Sequence, residues 1–491
     1  MAYYHGIKTR QVESSIATPT TAASGVTFVV GTAPVQMIGG VNTAESGNPV
    51  YKYQNIDEPI MGMNEAEAVA ALGYSDDWKK YSLCEVMYTH YRLYATAPVF
   101  FVNVLDPARH NLSMAAADYP LVDGRAKLSI DAIAESVIIT GYTKGEDYDL
   151  FYDGENLIIE ALPGGNIDTA ETPLTELEIA FDKVDPTQVT KADIIGGFNI
   201  TTKKTTGFEL IEAVFPKYGI VPDILICPGW SSDAEVAAIM SAKATSINGV
   251  FEAKALIDVD TSVVRHYADV IAWKNEQNIN AKTQALCFPM CKLGDKMFHL
   301  SAQMAGLMAT VDDKNGGCPA QSPSNNLMQI NGAVLKDGTE VLLDLQQANY
   351  LNSNGVVTVL NFIGGFVLWG NETACYPANT DVKDYFISNS RMFGWVGNSL
   401  TLTYWSKIDG KLTRRLIDSV IDSVNIWLNG LVSEEKILGG RVEFLASENP
   451  VIALMSGKAV FHIFLTPTSP MKEVEFILEY DPSYVAAALT M

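Results

Sequence analysis

The chain lacks long hydrophobic runs. No apolar stretch reaches the roughly 18 residues that a membrane-spanning helix needs. The start of the sequence, with Tyr3, Tyr4 and His5, has no apolar core of the kind found in signal peptides. Both absences argue against a membrane or secreted protein, so we expect the chain to remain in the cytoplasm of the cell that makes it.

Positive charge is also scarce. The 491 residues include 34 lysines and arginines against 57 aspartates and glutamates, for a net charge of −23. Binding to nucleic acid requires a basic surface that neutralises phosphates. The sequence therefore predicts no nucleic-acid partner.

Cysteines are few and scattered. The spacing of all six, from position 84 to position 375, does not suggest a disulfide framework. Cys287 and Cys291 follow a C-x3-C pattern, but no nearby histidine or cysteine pair completes a zinc site. We predict buried free thiols here, and neither a metal nor a cofactor.

The usual catalytic motifs are missing. The sequence contains no G-x-S-x-G, H-E-x-x-H, P-loop or G-x-G-x-x-G pattern. Ser231 and Ser232 follow a predicted strand, as a nucleophile would, but the neighbouring Asp233 favours a helix cap. His299 and His462 lie within apolar runs, which is typical of histidines in a core or a strand. We expect the chain not to be an enzyme.

Residues that restrict backbone shape are concentrated at 322–374. Proline, glycine and asparagine specify turns there, and the apolar runs 356–362 and 366–369 between them predict buried strands. A segment so constrained yet without acid–base pairs suggests a protein whose function depends on shape.

The pattern along the chain predicts an α/β multidomain protein. A polar arm (1–25) precedes the first part of an α/β region (26–111), whose order of strand, helix, helix and strand indicates a mostly parallel sheet. Short alternating runs at 112–205 predict a small inserted β-sandwich. That stretch holds 17 acidic and seven basic residues, which indicates a solvated outer surface. Alternating strands and helices return at 206–377.

The carboxyl-terminal part predicts an α+β domain at 378–480, followed by a short tail at 481–491. One or two helices are expected at 382–403. A helix over 412–431 has a single apolar stripe, and the runs 441–444, 459–465 and 473–480 predict strands.

Several motifs, in order, resemble those of the tail sheath proteins of contractile phages and phage-like injection systems. The resemblance runs from about residue 5 to the carboxyl terminus and is poor at about 112–205. It rests on GIKT at 6–9, GVTFVVGTAP at 25–34, MAGLMATVD at 304–312, LWGNETA at 368–374, FISNSR at 386–391, NIWL at 425–428 and LGG at 438–440.

The resemblance implies the fold and the function. It implies a three-layer subtilisin-like α/β domain, in fold alone and without subtilisin chemistry. It also implies a structural subunit that forms stacked hexameric rings around an inner tube and contracts to drive that tube through a cell envelope. The partners would be other copies of the chain, the tail tube protein, and the baseplate and tail terminator proteins. Assembly would occur in the bacterial host cytoplasm, and the product would be a virion tail or a released contractile particle.

Extended arms are expected at both ends, because unpaired strands favour pairing with another chain. The amino-terminal arm residues are Tyr3, Tyr4, Ile7, Lys8 and Val12. The carboxyl-terminal strand alternates Val474, Phe476, Leu478 and Tyr480 with charged residues. The alternative is that 473–480 pairs within its own domain and the amino-terminal arm is disordered.

A basic cluster stands out in the acidic chain. Lys411, Arg414 and Arg415 share a face if all three are helical, and Lys407 precedes them. The resemblance implies that the carboxyl-terminal domain faces the tube, so we predict these four as tube-facing residues. The alternative is a solvated start to the helix. For the whole chain, the alternatives are a hydrolase using the subtilisin-like domain, or a non-contractile scaffold or adhesin.

Overall fold

The computed structural model describes residues 19–45, 48–170 and 173–489. An eight-stranded sheet organises the chain. Its six inner strands run parallel, and the strand at each edge is antiparallel to its neighbour. In spatial order the strands are Phe366–Trp369, Val356–Asn361, Gln284–Cys287, Lys254–Asp258, Ile224–Ile226, Thr27–Gly31, Val99–Asn103 and Pro59–Gly62.

This central sheet is apolar on both faces. Leu256 and Cys287 belong to one core, whereas the adjacent Ile257 and Leu286 belong to another. Neighbouring residues of a strand point to opposite faces, so helices must cover both sides. The helices in this part of the chain are Glu65–Leu72, Ser82–Met87, Lys191–Ile195, Ile211–Tyr218, Ala234–Thr245, Val270–Glu276, Leu300–Lys314 and Leu345–Asn352, with a π-turn at Tyr88–Leu93.

Two helix starts test the sequence-based caps. Asparagine is a preferred helix cap, so the sequence predicts that Asn64 begins a short helix that ends at Leu72. This is confirmed, because the Asn64 side chain accepts a hydrogen bond from the Glu67 amide. At the second helix, the sequence offers Ser231 and Ser232 as caps beside Asp233, and neither serine is the cap. Asp233 caps the helix instead, because its carboxylate accepts from the amides of Glu235 and Val236, while Ser231 is buried beside Asp258.

The acidic insert contains two three-stranded antiparallel sheets around one core. The sequence did not indicate its first two strands. The first, at 111–120, is rich in alanine and alternates weakly, whereas the second, at 125–129, alternates but is only five residues long. One sheet consists of Arg125–Ser129, Asn156–Ala161 and Tyr148–Asp153, and the other of Asn111–Pro120, Glu176–Val184 and Ile138–Ile139.

The insert is attached to the central domain through its carboxylates. Asp131 accepts from the Tyr81 hydroxyl at 2.7 Å and from Lys80 Nζ at 2.8 Å. Residues after the insert return to the central domain, where Val189 and Ile194 lie in its core. Smaller sheets complete this region: Val41–Glu45 with Asn48–Lys52, Gly197–Asn199 with Lys204–Thr206, and Met290–Leu293 with Lys296–Phe298 and Gly332–Val334.

The carboxyl-terminal region packs two helices against a two-stranded antiparallel sheet. We call Ile387–Tyr404 the docking helix and Arg414–Ser433 the arginine helix; the latter buries Val424, Trp427 and Leu428. The remaining elements are the helices Val382–Tyr385, Val451–Met455 and Ser483–Leu489 and the strands Ile437–Glu443 and His462–Pro467. None of the helices in the described ranges is long and apolar enough to cross a membrane.

Candidate functional site

The segment 473–480 lies on the surface without a strand partner. The sequence predicts a strand here, but within the described ranges no backbone hydrogen bond joins this segment to the chain. Phe476 is 83% exposed and Leu478 is 96% exposed; Val474 and Tyr480 are also exposed. A strand exists only when a second strand satisfies its backbone groups, so this apolar segment is unpaired within the described part of the chain.

An ion pair between a half-exposed lysine and a buried glutamate fixes the point where this segment begins. Lys472 Nζ lies 2.7 Å from Glu372 Oε1, and the Glu372 side chain is only 4% exposed. The Asn371 amide donates to the other carboxylate oxygen, and the Lys472 ammonium lies 5.4 Å from the centre of the Tyr376 ring. The turn-rich segment of the sequence thus supplies an anchor for the carboxyl-terminal segment.

The two-stranded sheet of the carboxyl-terminal region offers an edge to further strands. Its strands Ile437–Glu443 and His462–Pro467 pair only with each other in the described part of the chain. Asn425 of the arginine helix bonds the backbone of Val442 and so occupies part of one edge. A sheet of two strands is marginal alone, which favours extension by strands from elsewhere.

The amino-terminal site residues Tyr3, Tyr4, Ile7, Lys8 and Val12 lie outside the described residues. The described chain begins at Pro19 and runs along the docking helix, where Trp395 Nε1 donates to the Ala22 carbonyl at 2.9 Å. Any free amino-terminal arm therefore starts before this attachment.

The basic cluster is exposed, but only part of it is helical. Thr413 caps the arginine helix by accepting from the Leu416 amide. The prediction that Lys411 shares a helical face with Arg414 and Arg415 is therefore wrong, because Lys411 precedes the cap. Arg414, with an 87% exposed side chain, pairs with Asp418 one turn later at 3.0 Å. That carboxylate partly offsets the unfavourable position of a cation in the first helical turn. Lys407 lies in the exposed turn Trp405–Lys407.

A buried polar network contains the residues that a hydrolase would need, in the wrong arrangement. The Ser301 hydroxyl donates to Asp258, and Asp258 also accepts from the Ser301 amide at the start of helix Leu300–Lys314. His299 Nδ1 lies 2.8 Å from Glu85 Oε2. Burial alone lowers the pKa of His299, but the carboxylates of Glu85 and Asp258 raise it to about 9. A protonated imidazole is no general base at neutral pH, so the network serves to hold the helix start.

Cys287 and Cys291 are buried free thiols, as the sequence predicts. Burial raises the pKa of both thiols. A thiol that stays protonated is a poor metal ligand and a poor nucleophile. Both residues therefore act as small apolar side chains of the core.

A buried charge cluster joins three regions, and the sequence did not indicate it. Arg391 donates to Asp312 at 2.5 Å and to Asp223 at 2.6 Å, and the side chains of Arg391 and Asp312 are 3% and 1% exposed. Asp223 also accepts from the Val26 amide. Two of the three residues stand in the motifs MAGLMATVD and FISNSR, so the motifs marked positions whose pairing only the fold reveals.

No protein-family model matches the chain. The chain is 29% identical to the tail sheath protein of Burkholderia phage BcepMu over 98% of both chains. It is 28% identical to the major tail sheath protein of Serratia phage KSP20 over 39% of this chain and 47% of that protein. Its fold matches that of the helical sheath of the anti-feeding prophage in the contracted state, with a TM-score of 0.56 and 12% identity. That match covers 98% of this chain and 100% of the sheath chain.

These relatives confirm the family resemblance and the prediction that the chain is a structural protein. Full-length similarity to a phage tail sheath protein and the fold of an injection-system sheath agree with each other. The chain is therefore similar, along nearly its whole length, to a phage tail sheath protein, which is a structural protein and not an enzyme.

Proposed function

We propose that the chain polymerises as stacked hexameric rings around an inner tube and contracts to drive that tube through a cell envelope. Its partners are other copies of itself, the tail tube protein, and the baseplate and tail terminator proteins. Assembly takes place in the cytoplasm of a bacterial host, and the product is a virion tail or a released contractile particle. The observation that carries the proposal is the exposed, unpaired segment 473–480.

Strand pairing between subunits suits a contracting lattice. Backbone hydrogen bonds do not depend on which side chains face each other, so an arm paired with a neighbour stays attached when the subunit bodies rotate. Lys472 fixes the base of the carboxyl-terminal arm on the parent subunit. The two-stranded sheet of the next subunit supplies an edge for Val474, Phe476, Leu478 and Tyr480. Tyr3, Tyr4, Ile7, Lys8 and Val12 form the amino-terminal counterpart.

The purified chain should assemble alone into hollow polymers that resemble a contracted sheath. Pairing of the arms needs no cofactor, and the contracted arrangement has the lower free energy. Electron microscopy across a range of protein and salt concentrations tests this, with six-fold symmetry as the expected result. A protein that stays monomeric under all these conditions contradicts the proposal, and straight, non-hollow filaments favour a scaffold instead.

We propose the following domain architecture. The central sheet with a core on each face supports a three-layer, subtilisin-like α/β domain, and the two sheets around one core support an inserted β-sandwich. Since Val189 and Ile194 pack in the central core, we place the end of the insert near residue 185 and not at 205. The other domain boundaries are kept at residues 25, 111, 377 and 480. The acidic insert is placed on the outside of the sheath.

We assign the tube contact to Lys407, Lys411, Arg414 and Arg415. All four are exposed, and the buried side of the arginine helix faces away from them into its own domain. A single exposed ion pair contributes only about 0–1 kcal/mol. Repeated in every subunit, such contacts set the register on the tube and still break during contraction.

Reversing the charge at Arg414 and Arg415 to glutamate should prevent extended assembly around the tube without affecting polymers of the chain alone. The matched control is reversal of Lys203 and Lys204, which are exposed beside a hairpin of the central domain. Each variant is co-expressed with the tube protein, and electron microscopy measures the yield of extended, tube-filled particles. Extended, tube-filled particles in normal yield from the arginine variant would remove these residues from the interface.

A further inference from the structure

The first described residues of the chain are bound along one side of the docking helix. Three residues of the segment, at positions 20, 22 and 24, contact four helix side chains that are spaced four positions apart, and Ala22 contacts two of them. From position 20 to 24 the extended chain spans about 13 Å, whereas the helix from 391 to 403 spans about 18 Å, so Ala22 in the middle is held by two successive turns of the helix. We call the four helix side chains the linker track: Arg391, Trp395, Ser399 and Thr403.

The contacts are made mainly to the backbone of the segment. The Thr20 amide donates to Thr403 Oγ1 at 2.8 Å, and the Ala22 amide donates to Ser399 Oγ at 2.8 Å. Trp395 Nε1 completes the set by donating to the Ala22 carbonyl. The segment is thereby held much as a strand is held by its neighbour, but by side chains of a helix.

The segment is attached to the docking helix more strongly at Ser24, its inner end, than at Thr20, its outer end. At the inner end, the Ser24 hydroxyl donates to Asp312 within the buried charge cluster of Arg391. The Ala22 contacts in the middle are buried. At the outer end, the hydrogen bond between Thr20 and Thr403 is exposed, Thr20 and Thr21 face solvent, and only Pro19 is buried. Opening from the outer end therefore leaves the charge cluster intact.

We propose that the outer part of the linker track releases residues 19–21 when the sheath contracts, so that the amino-terminal arm lengthens without detaching. The inference rests on the proposed function, because subunits that move outward in a ring also move apart. Three released residues add about 10 Å of reach at about 3.3 Å each. The charge cluster at Arg391 sets the limit of the release.

A disulfide between Thr20→Cys and Thr403→Cys tests the release directly. A distance of 2.8 Å from the Thr20 amide to Thr403 Oγ1 places the two Cα atoms within about 6.7 Å, inside the range of disulfides. The six native cysteines are buried, so mild oxidation is confined to the new pair. The oxidised variant should remain a folded monomer and fail to form contracted polymers, and reduction should restore them.

A second variant gives the opposite result without a disulfide. Thr403→Val removes the outer attachment and should lower the critical concentration for contracted polymers. The expected change is about two- to tenfold, which corresponds to the net free energy of one exposed hydrogen bond. The matched control is Thr401→Val, whose hydroxyl likewise bonds a carbonyl of its own helix, at Gly397, but holds no linker residue. The control should polymerise as the unmodified chain does.

The outcomes separate this inference from the proposed function. If the oxidised disulfide variant polymerises as readily as its reduced form, or if Thr403→Val and Thr401→Val behave alike, the release is wrong while the sheath function stands. If the unmodified chain forms no polymers at all, the proposed function fails and the release fails with it.

Discussion

A chain that ends at residue 473 should fold as the full-length protein does and form no polymers. Deletion of 474–491 removes a segment whose large apolar side chains are exposed and whose backbone makes no hydrogen bond to the rest of the described chain. The monomer therefore loses little packing, and its melting temperature should not change. The polymer loses one strand of every connection between subunits, so sedimentation and electron microscopy should detect monomers only.

Point substitutions in the same segment distinguish strand pairing from simple loss of length. Phe476→Ser with Leu478→Ser removes two apolar anchors from one side of the predicted strand and should abolish most assembly. Glu475→Gln with Glu479→Gln changes the other side and keeps the length, so this control should still assemble. Polymers from the truncated chain, or equal effects of the two double variants, would show that the segment does not connect subunits.

The second large effect is expected at the buried charge cluster. Arg391→Met should lower the free energy of unfolding by about 3–5 kcal/mol, because it leaves Asp312 and Asp223 buried without their common partner. Burial opposes the charge of Arg391, but these two carboxylates raise its pKa. The cluster joins the docking helix, the helix Leu300–Lys314 and the start of the central sheet, so its loss affects the junction of all three.

The control for this experiment is an exposed pair. Arg265 lies 2.8 Å from Asp337 with side chains 52% and 49% exposed, so Arg265→Met should cost less than about 1 kcal/mol. Urea unfolding followed by circular dichroism and tryptophan fluorescence compares the two variants. Equal midpoints for Arg391→Met and Arg265→Met would mean that the cluster does not stabilise the junction.

Much of the fold follows from local sequence signals. Apolar runs bounded by turns gave the strands Val356–Asn361 and Phe366–Trp369 close to their observed positions, and the Asn64 cap gave a helix start within one residue. The apolar stripe of the arginine helix was also found, because a buried face repeats at helical spacing whatever it packs against. The strand Asn111–Pro120 of the insert was missed, since an exposed, alanine-rich strand carries no apolar alternation. Arg125–Ser129 was also missed, although its buried Ala126 and Leu128 alternate with exposed residues.

The candidate site was harder to predict from the sequence than the fold was. A helix pattern alone did not separate Lys411 from Arg414, because the boundary depends on which threonine or serine caps the first turn, and here Thr413 does. The linker track likewise gave no local signal. Its members are spaced by four on one helix, but their partners lie more than 360 residues away.

The sequence by itself determined the class of protein. Motifs in the family order carry the resemblance to tail sheath proteins, and the acidic composition and missing catalytic patterns argue against nucleic-acid binding and catalysis, because each of these depends only on which residues are present and in what order. The tertiary structure alone decided which charges meet and which segment stays unpaired. Asp223, Asp312 and Arg391 come together only when three distant segments pack. Within the described ranges 473–480 forms no strand, because pairing is a property of two segments and no described segment bonds to its backbone.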